Sequence, residues 1–343
     1  MTKFLITAAT LPLLASAFAM SAQAEDGPEL VIENFVGTVT LITDNTAPLS
    51  VASVTNKKDM TQHNDGENLV IDGGIRKPDG DKCKGYYGNW SWSKKKSGTI
   101  GGYEDIEDYP KLTISAPSNT ILVVRNSIPF IETGDLGGAN VEVQACGKIN
   151  MGDLDGDLRV ELSGSGDIMA GNVHDADLNL RGSGDVSIKN ARDLRADLSG
   201  SGDIVTGNVA NADISLRGSG DIELEDVTGK LNLSLRGSGD VSVGNVSGGA
   251  EASMRGSGDI EIDSISGPTR LESSGSGDIE VDDGDTDMLY ISSSGSSTIE
   301  YGGTAKDADL RATGAADIYV HHVTGSVDQR ESGSADIDID KRD

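Results

Sequence analysis

The stretch "LRGSGDIELEDVTGKLNLSLRGSGD", residues 216–240, opens and closes on the same six residues and sets Asp240 19 places after Asp221. Aligned along the chain, the last position of this Gly-Ser-Gly-Asp corner holds Asp167, Asp185, Asp203, Asp221, Asp240, Asp259, Asp278, Asp317 and Asp336. Thr298 fills the slot in the degenerate copy GSSTI, and Lys148 fills it in ACGKI. The eleven slots are 19, 18, 18, 18, 19, 19, 19, 20, 19 and 19 residues apart. A period kept that closely marks stacked structural units.

Each unit repeats one inner register. Apolar residues fall one and three places after the slot, as Ile222 and Leu224, Val241 and Val243, or Ile260 and Ile262. Another falls six places after it, as Val173, Val209, Val227, Val246 and Ile265, and two more precede the next slot, as Leu233 and Leu235. Alternation at i, i+2 is the strand period. Proline, which would break a ladder, is nearly absent from these runs. One unit alone cannot bury its apolar stripe, but copies stacked at about 4.8 Å close a common core. The expectation is an all-β, single-stranded parallel β-helix (β-solenoid) of about eleven coils, a rod roughly 50 Å long. Its N-terminal part is less regular. Beyond residue 148 only Tyr290, Tyr301 and Tyr319 are aromatic, which suits a narrow core of Ile, Val and Leu.

Two devices are expected at the corner. Glycine supplies positive φ where the chain bends sharply. Aspartate accepts hydrogen bonds from turn N–H groups that cannot join the ladder. Stacking then sets like charges about 5 Å apart, a repulsion of about 1 kcal/mol in water. Arg181, Arg217, Arg236 and Arg255, four places before the slot, stand ready to offset it. Rows of oxygen ligands also suit structural Ca²⁺. The corner nevertheless departs from the nine-residue calcium β-roll repeat, because an apolar residue follows each aspartate. No other cofactor and no metal-ligand motif is expected.

Residues 1–24 read as an export signal, with Lys3, an apolar alanine-rich run from Phe4 to Met20, and the small-x-small site Ala22-Gln23-Ala24. Residues 25–146 then form N-terminal coils and a cap, and 147–343 the repetitive solenoid. No later stretch is apolar enough for a membrane-spanning helix. Net charge is −28 at pH 7, and −29 once Lys3 leaves with the signal. That balance excludes nucleic acid as a partner, since phosphate binding needs clustered cations. Export places the protein in the periplasm or at the cell surface. There the two cysteines, Cys83 and Cys146, form a candidate disulfide, the alternative being two buried thiols. Such a bridge contributes about 4 kcal/mol in the chain-entropy model.

Residues 73–110 interrupt the strands. They carry Trp90, Trp92, Tyr86, Tyr87, Tyr103 and Tyr109, with Lys82, Lys84, Lys94, Lys95 and Lys96, in an otherwise acidic chain. A long loop on a rigid scaffold is a natural binding element, and exposed rings stack on sugars or anchor a protein. Equally, large rings are usually buried, here against the side of the stack. His63, His174, His321 and His322 are scattered, and the Gly-x-Gly pieces lack the βαβ context of a dinucleotide site.

The tandem GSGDI and GSGDV corners, the alternating LxL runs and the pieces "FVGTVTLIT", "NLVIDGG", "LTISAP" and "ILVVRNS" resemble the bacterial auto-transporter adhesin head GIN domain family, over roughly residues 30–340. The resemblance implies an extracytoplasmic β-helix and supplies no catalytic residues. No β-barrel pattern follows the repeats, so the chain is not expected to translocate itself. The resulting expectation is a non-catalytic, adhesin-like binding or scaffolding protein of the envelope, with a glycan or a surface protein as partner. A polysaccharide-active β-helix enzyme and a calcium-stabilised rod are the alternatives, and a non-repeating carboxylate cluster would favour the enzyme.

Overall fold

A computed structural model of the protein describes residues 27–57, 59–75, 99–100, 104–105 and 108–342. These residues are all-β, with parallel coils stacked into a β-solenoid of about twelve turns. The unit after Asp221 shows how one coil is made. Strand Ile222–Leu224 is followed by a bridge at Val227 and by strand Leu231–Leu235, and the Arg236–Asp240 corner closes the turn. The pairings of this coil join like positions of the next coil in parallel, such as Ile222 with Val241, Leu231 with Ala250 and Val227 with Val246. The six apolar residues Ile222, Leu224, Val227, Leu231, Leu233 and Leu235 all point inward and are at most 3% exposed. Burying each is worth about 1.5–3 kcal/mol. That gain needs the coil above and the coil below, so the core is one continuous cluster from Leu30 to Ile337.

The corner glycines serve a different purpose from the one expected. None of the GSGD glycines from Gly164 to Gly277 has φ in the left-handed region. Their lack of a side chain matters because the backbones of successive corners touch. A Cβ on Gly220 would lie 1.9 Å from the carbonyl oxygen of Gly202, and one on Gly218 1.8 Å from that of Gly200. Among the corner glycines, positive φ appears at Gly295, Gly314 and Gly333, in the later, divergent copies.

At the N-terminal end the stacking order departs from chain order. Strand Glu29–Glu33 lies between Asn68–Asp72 and Ile121–Arg125. Strand Val36–Thr43 lies between Lys111–Ala116 and Ile128–Thr133. The outermost coil is therefore built from residues 68–72 and 111–116, and the 73–110 segment leaves from that coil. Antiparallel strands Ser50–Thr55 and Thr61–Asp65 cover its two open edges. Thr61–Asp65 is exposed and polar throughout. Covering the edges in this way blunts a surface that would otherwise recruit another strand. Outside the solenoid interior, Val36, Ile128, Phe130, Ala145 and Cys146 form a second small cluster with Ile75 and Tyr109.

Candidate functional site

Six of the nine slot aspartates reach from one coil to the next. Asp185, Asp203, Asp221, Asp240 and Asp259 each accept, through Oδ1, the backbone N–H of the aspartate in the following coil at 2.8–2.9 Å. Asp278 accepts that of Thr298 at 2.6 Å. Each carboxylate thus stands in for a ladder carbonyl. Where the preceding slot holds Lys148 or Thr298, the next N–H bonds to a backbone carbonyl instead, Asp167 to Gly147 and Asp317 to Ser297. Asp336 also uses a carbonyl, that of Ala316, although Asp317 precedes it. The expected arginine compensation is different as well, since Arg217 lies 3.6 Å from Asp197 on the neighbouring strand.

Five places after the slot runs a second ladder, which sequence reasoning saw only as a turn. Asp153 accepts both the backbone N–H and the side-chain amide of Asn172, and Asp226 does the same for Asn245. Asn190 continues the column by donating to Asn172 and accepting from Asn208 N–H. The bonds from Asn245, backbone first, hold the Asp226 carboxyl below its ordinary value, and those from Asn172 do the same for Asp153.

Two surface features stand out beside the ladders. Along five successive corners, Gln144, Ser163, Ser165, Arg181, Ser183 and Ser201 line a shallow groove of about 730 Å³ floored by glycine. It presents serine hydroxyls at four of the five corners, next to glycine backbone that carries no side chain. Farther along, Tyr290 is sandwiched between coils, with the Arg270 guanidinium 3.9 Å and that of Arg311 5.2 Å from its ring centroid. Arg311 also donates to the Tyr290 hydroxyl at 3.3 Å.

One cluster breaks the repeat. His174 Nδ1 lies 3.2 Å from Asp157 Oδ1 and 3.7 Å from Asp175 Oδ1. Arg192, one coil on, donates to Asp175 Oδ2 at 2.7 Å, to Asp193 Oδ2 at 3.1 Å and to His174 Nε2 at 2.9 Å. Asp175 is 1% exposed, and its Oδ1 is buried without a hydrogen-bond partner. Burial pushes the Asp175 carboxyl up. Arg192 and His174 oppose that shift, while Asp157 and Asp193 reinforce it. The sequence did carry a signal. His174 and Arg192 both fall seven places after a slot, and Asp175 and Asp193 eight places after.

The expected aromatic binding residues Tyr86, Tyr87, Trp90, Trp92 and Tyr103 lie outside the described residues, as do Cys83 and the export signal. Cys146 is buried and in a disulfide. No helix among the described residues is long and apolar enough to cross a membrane.

No curated protein and no solved structure matches the chain. A family model described as "Putative auto-transporter adhesin, head GIN domain" matches residues 158–264 and 251–343, two overlapping blocks that together span the coils from residue 158 on. That match covers more than half of the sequence and falls on the coils whose corners, ladders and groove are described above, and the chain belongs to that adhesin-like family.

Proposed function

We propose that the protein is exported and acts as a non-catalytic, adhesin-like binding scaffold of the bacterial envelope, with a glycan or an envelope surface protein as its partner. The carrying observation is the corner groove. Slot aspartates such as Asp185 and Asp203 accept bonds from the next coil, whereas serines face outward at four successive corners over a glycine floor. A long hydrogen-bonding ligand matches a long, regular, open row of hydroxyls better than a closed pocket does. Arg181 in the same groove favours a ligand with anionic groups. The segment 73–110 supplies a second contact in this reading, with Trp90, Trp92, Tyr86, Tyr87 and Tyr103 as stacking residues. The Cys83–Cys146 bridge would tie that segment to the outer coils.

The test is a glycan array and an envelope pull-down with the intact exported chain. Ser183→Glu with Ser201→Glu should abolish retention on any glycan bound by the wild type, and Trp90→Ala with Trp92→Ala should weaken it. Unchanged retention by both folded variants would remove this reading. The Asp157–His174–Asp175–Arg192 cluster is the specific observation behind the enzymatic alternative. Polysaccharide turnover by the wild type that is lost in His174→Ala would favour that alternative instead.

A further inference from the structure

We propose that Asp157, His174 and Asp175 form a site for a divalent transition-metal cation, with Zn²⁺ the best match. Nothing in the repeat requires these three residues. Two coils farther on and in the coil after that, the corresponding positions hold Ala210 and Asn211, then Thr228 and Gly229, small or neutral side chains. One ligand atom from each of the three residues lies within 4.8 Å of those of the other two.

Three observations point to a cation. Asp175 is 1% exposed and its Oδ1, on the His174 side, has no hydrogen-bond partner. An orphaned carboxylate oxygen at that depth is costly, and a metal bond is one of the few things that satisfies it. The spacing fits as well. His174 Nδ1 is 3.2 Å from one carboxylate oxygen and 3.7 Å from the other. The edge of a tetrahedron with bonds of about 2.0–2.1 Å is roughly 3.3 Å, so small side-chain shifts seat the ion. Charge points the same way. Asp157 and Asp175 flank the imidazole, and Asp175 and Asp193 pair with Arg192, so carboxylates gather at one point. One imidazole with two carboxylates is borderline in softness, which favours Zn²⁺ or its neighbours over Ca²⁺.

Arg192 regulates the site. Its N–H group donates to His174 Nε2, so that nitrogen is the acceptor and the neutral ring carries its proton on Nδ1, toward the carboxylates. A metal on Nδ1 requires the proton on Nε2, which would then meet the Arg192 donor head-on. The cation therefore enters as the half-exposed Arg192 swings away, and guanidinium and metal compete for one place.

Untagged full-length mature protein, stripped with chelator, is titrated with Zn²⁺ by calorimetry, and with Co²⁺ for the visible absorption of a tetrahedral site. The wild type should bind one equivalent that survives raised salt. His174→Ala and Asp175→Asn should each weaken binding at least tenfold, with circular dichroism confirming an intact fold. Arg192→Met, which removes the competitor, should bind several-fold more tightly. His321→Ala should bind as the wild type does. Binding that is unaffected by His174→Ala, or no saturable binding by either wild type or Arg192→Met, overturns the proposal. Loss of the Co²⁺ band in His174→Ala but not in His321→Ala supports it even if Asp175→Asn fails to fold.

Discussion

The coils after residue 158 and the coils before it bury the same kinds of side chain in the same parallel ladders, yet they differ in what fixes their geometry. In the later region each coil lies directly on its sequence predecessor, with corner backbones in contact at Gly200, Gly218 and Gly237. In the earlier region Glu29–Thr43 is wedged between coils made from residues 68–116 and 121–133. Its turns rely on left-handed residues such as Asn34, Asn56, Asn126 and Gly66. Constant turn length is what makes a solenoid periodic. Once a long segment is inserted, the core rules persist and the repeat disappears.

Removing core volume should hurt most. Leu233→Ala takes a side chain that is 3% exposed out of the middle of the stack and should cost about 2–5 kcal/mol, read by denaturant unfolding. Thr40→Ala, at an exposed position of strand Val36–Thr43 in the earlier region, should change little by the same measurement.

Glycine substitution sharpens the contrast between the two regions. Gly220→Ala would press a Cβ into a backbone carbonyl and should cost about 1–3 kcal/mol. Gly66→Ala has open space around it but φ +64° in the hairpin between Thr61–Asp65 and Asn68–Asp72, and should cost about 1 kcal/mol. Gly66→Asn should restore most of that loss, because asparagine tolerates the left-handed region, whereas Gly220→Asn should not recover. Equal rescue at both sites would contradict the distinction drawn here.

Asp221→Ala removes the acceptor for the Asp240 N–H and should cost about 1 kcal/mol, while Asp221→Asn, which still offers an oxygen, should stay close to wild type. Tyr301 tests the opposite case. Its hydroxyl is buried without a partner, and burial, with Asp285 and Asp283, pushes its pKa well up. Tyr301→Phe should therefore raise the melting temperature by a few degrees.

The smallest effects concern pH. Asp153 and Asp226 have folded-state values below the ordinary aspartate range. Their stabilisation is full above that range and is lost as pH falls toward the depressed values. Glu280 runs the other way. Burial first, then Asp282, Glu300, Glu261 and Asp278, push it up, so its ionised form opposes folding and acidification through its raised pKa relieves the strain. Asp226→Asn should flatten the acid limb of a stability–pH curve, and Glu280→Gln should lower the gain seen just above it.

Much of this molecule was legible in the residues. The positions one, three and six after the slot, read as inward, are buried in coil after coil, as Ile222, Leu224 and Val227 show. The aspartates read as acceptors for nearby turn N–H groups, whereas Asp221 accepts the N–H of Asp240, one coil away and 19 residues along the chain. What could not be read was the reason for the glycines, since close approach and positive φ demand the same residue. The wedged order of Glu29–Thr43 was equally hidden, because strands with the same alternation are interchangeable in sequence. So was the meeting of His174 with Arg192, since each alone is an ordinary polar turn residue.

The amino-acid sequence by itself determined the parallel solenoid, because a constant period with an i, i+2 apolar stripe has no other way to bury that stripe. Only the tertiary structure decided which coil neighbours which at the N-terminal end, and which side chains meet across coils at Asp157, His174, Asp175 and Arg192. Burial depends on a residue's own type and spacing, so a one-dimensional pattern records it. Contact between specific polar groups depends on turn lengths and stacking order, which only the folded backbone sets.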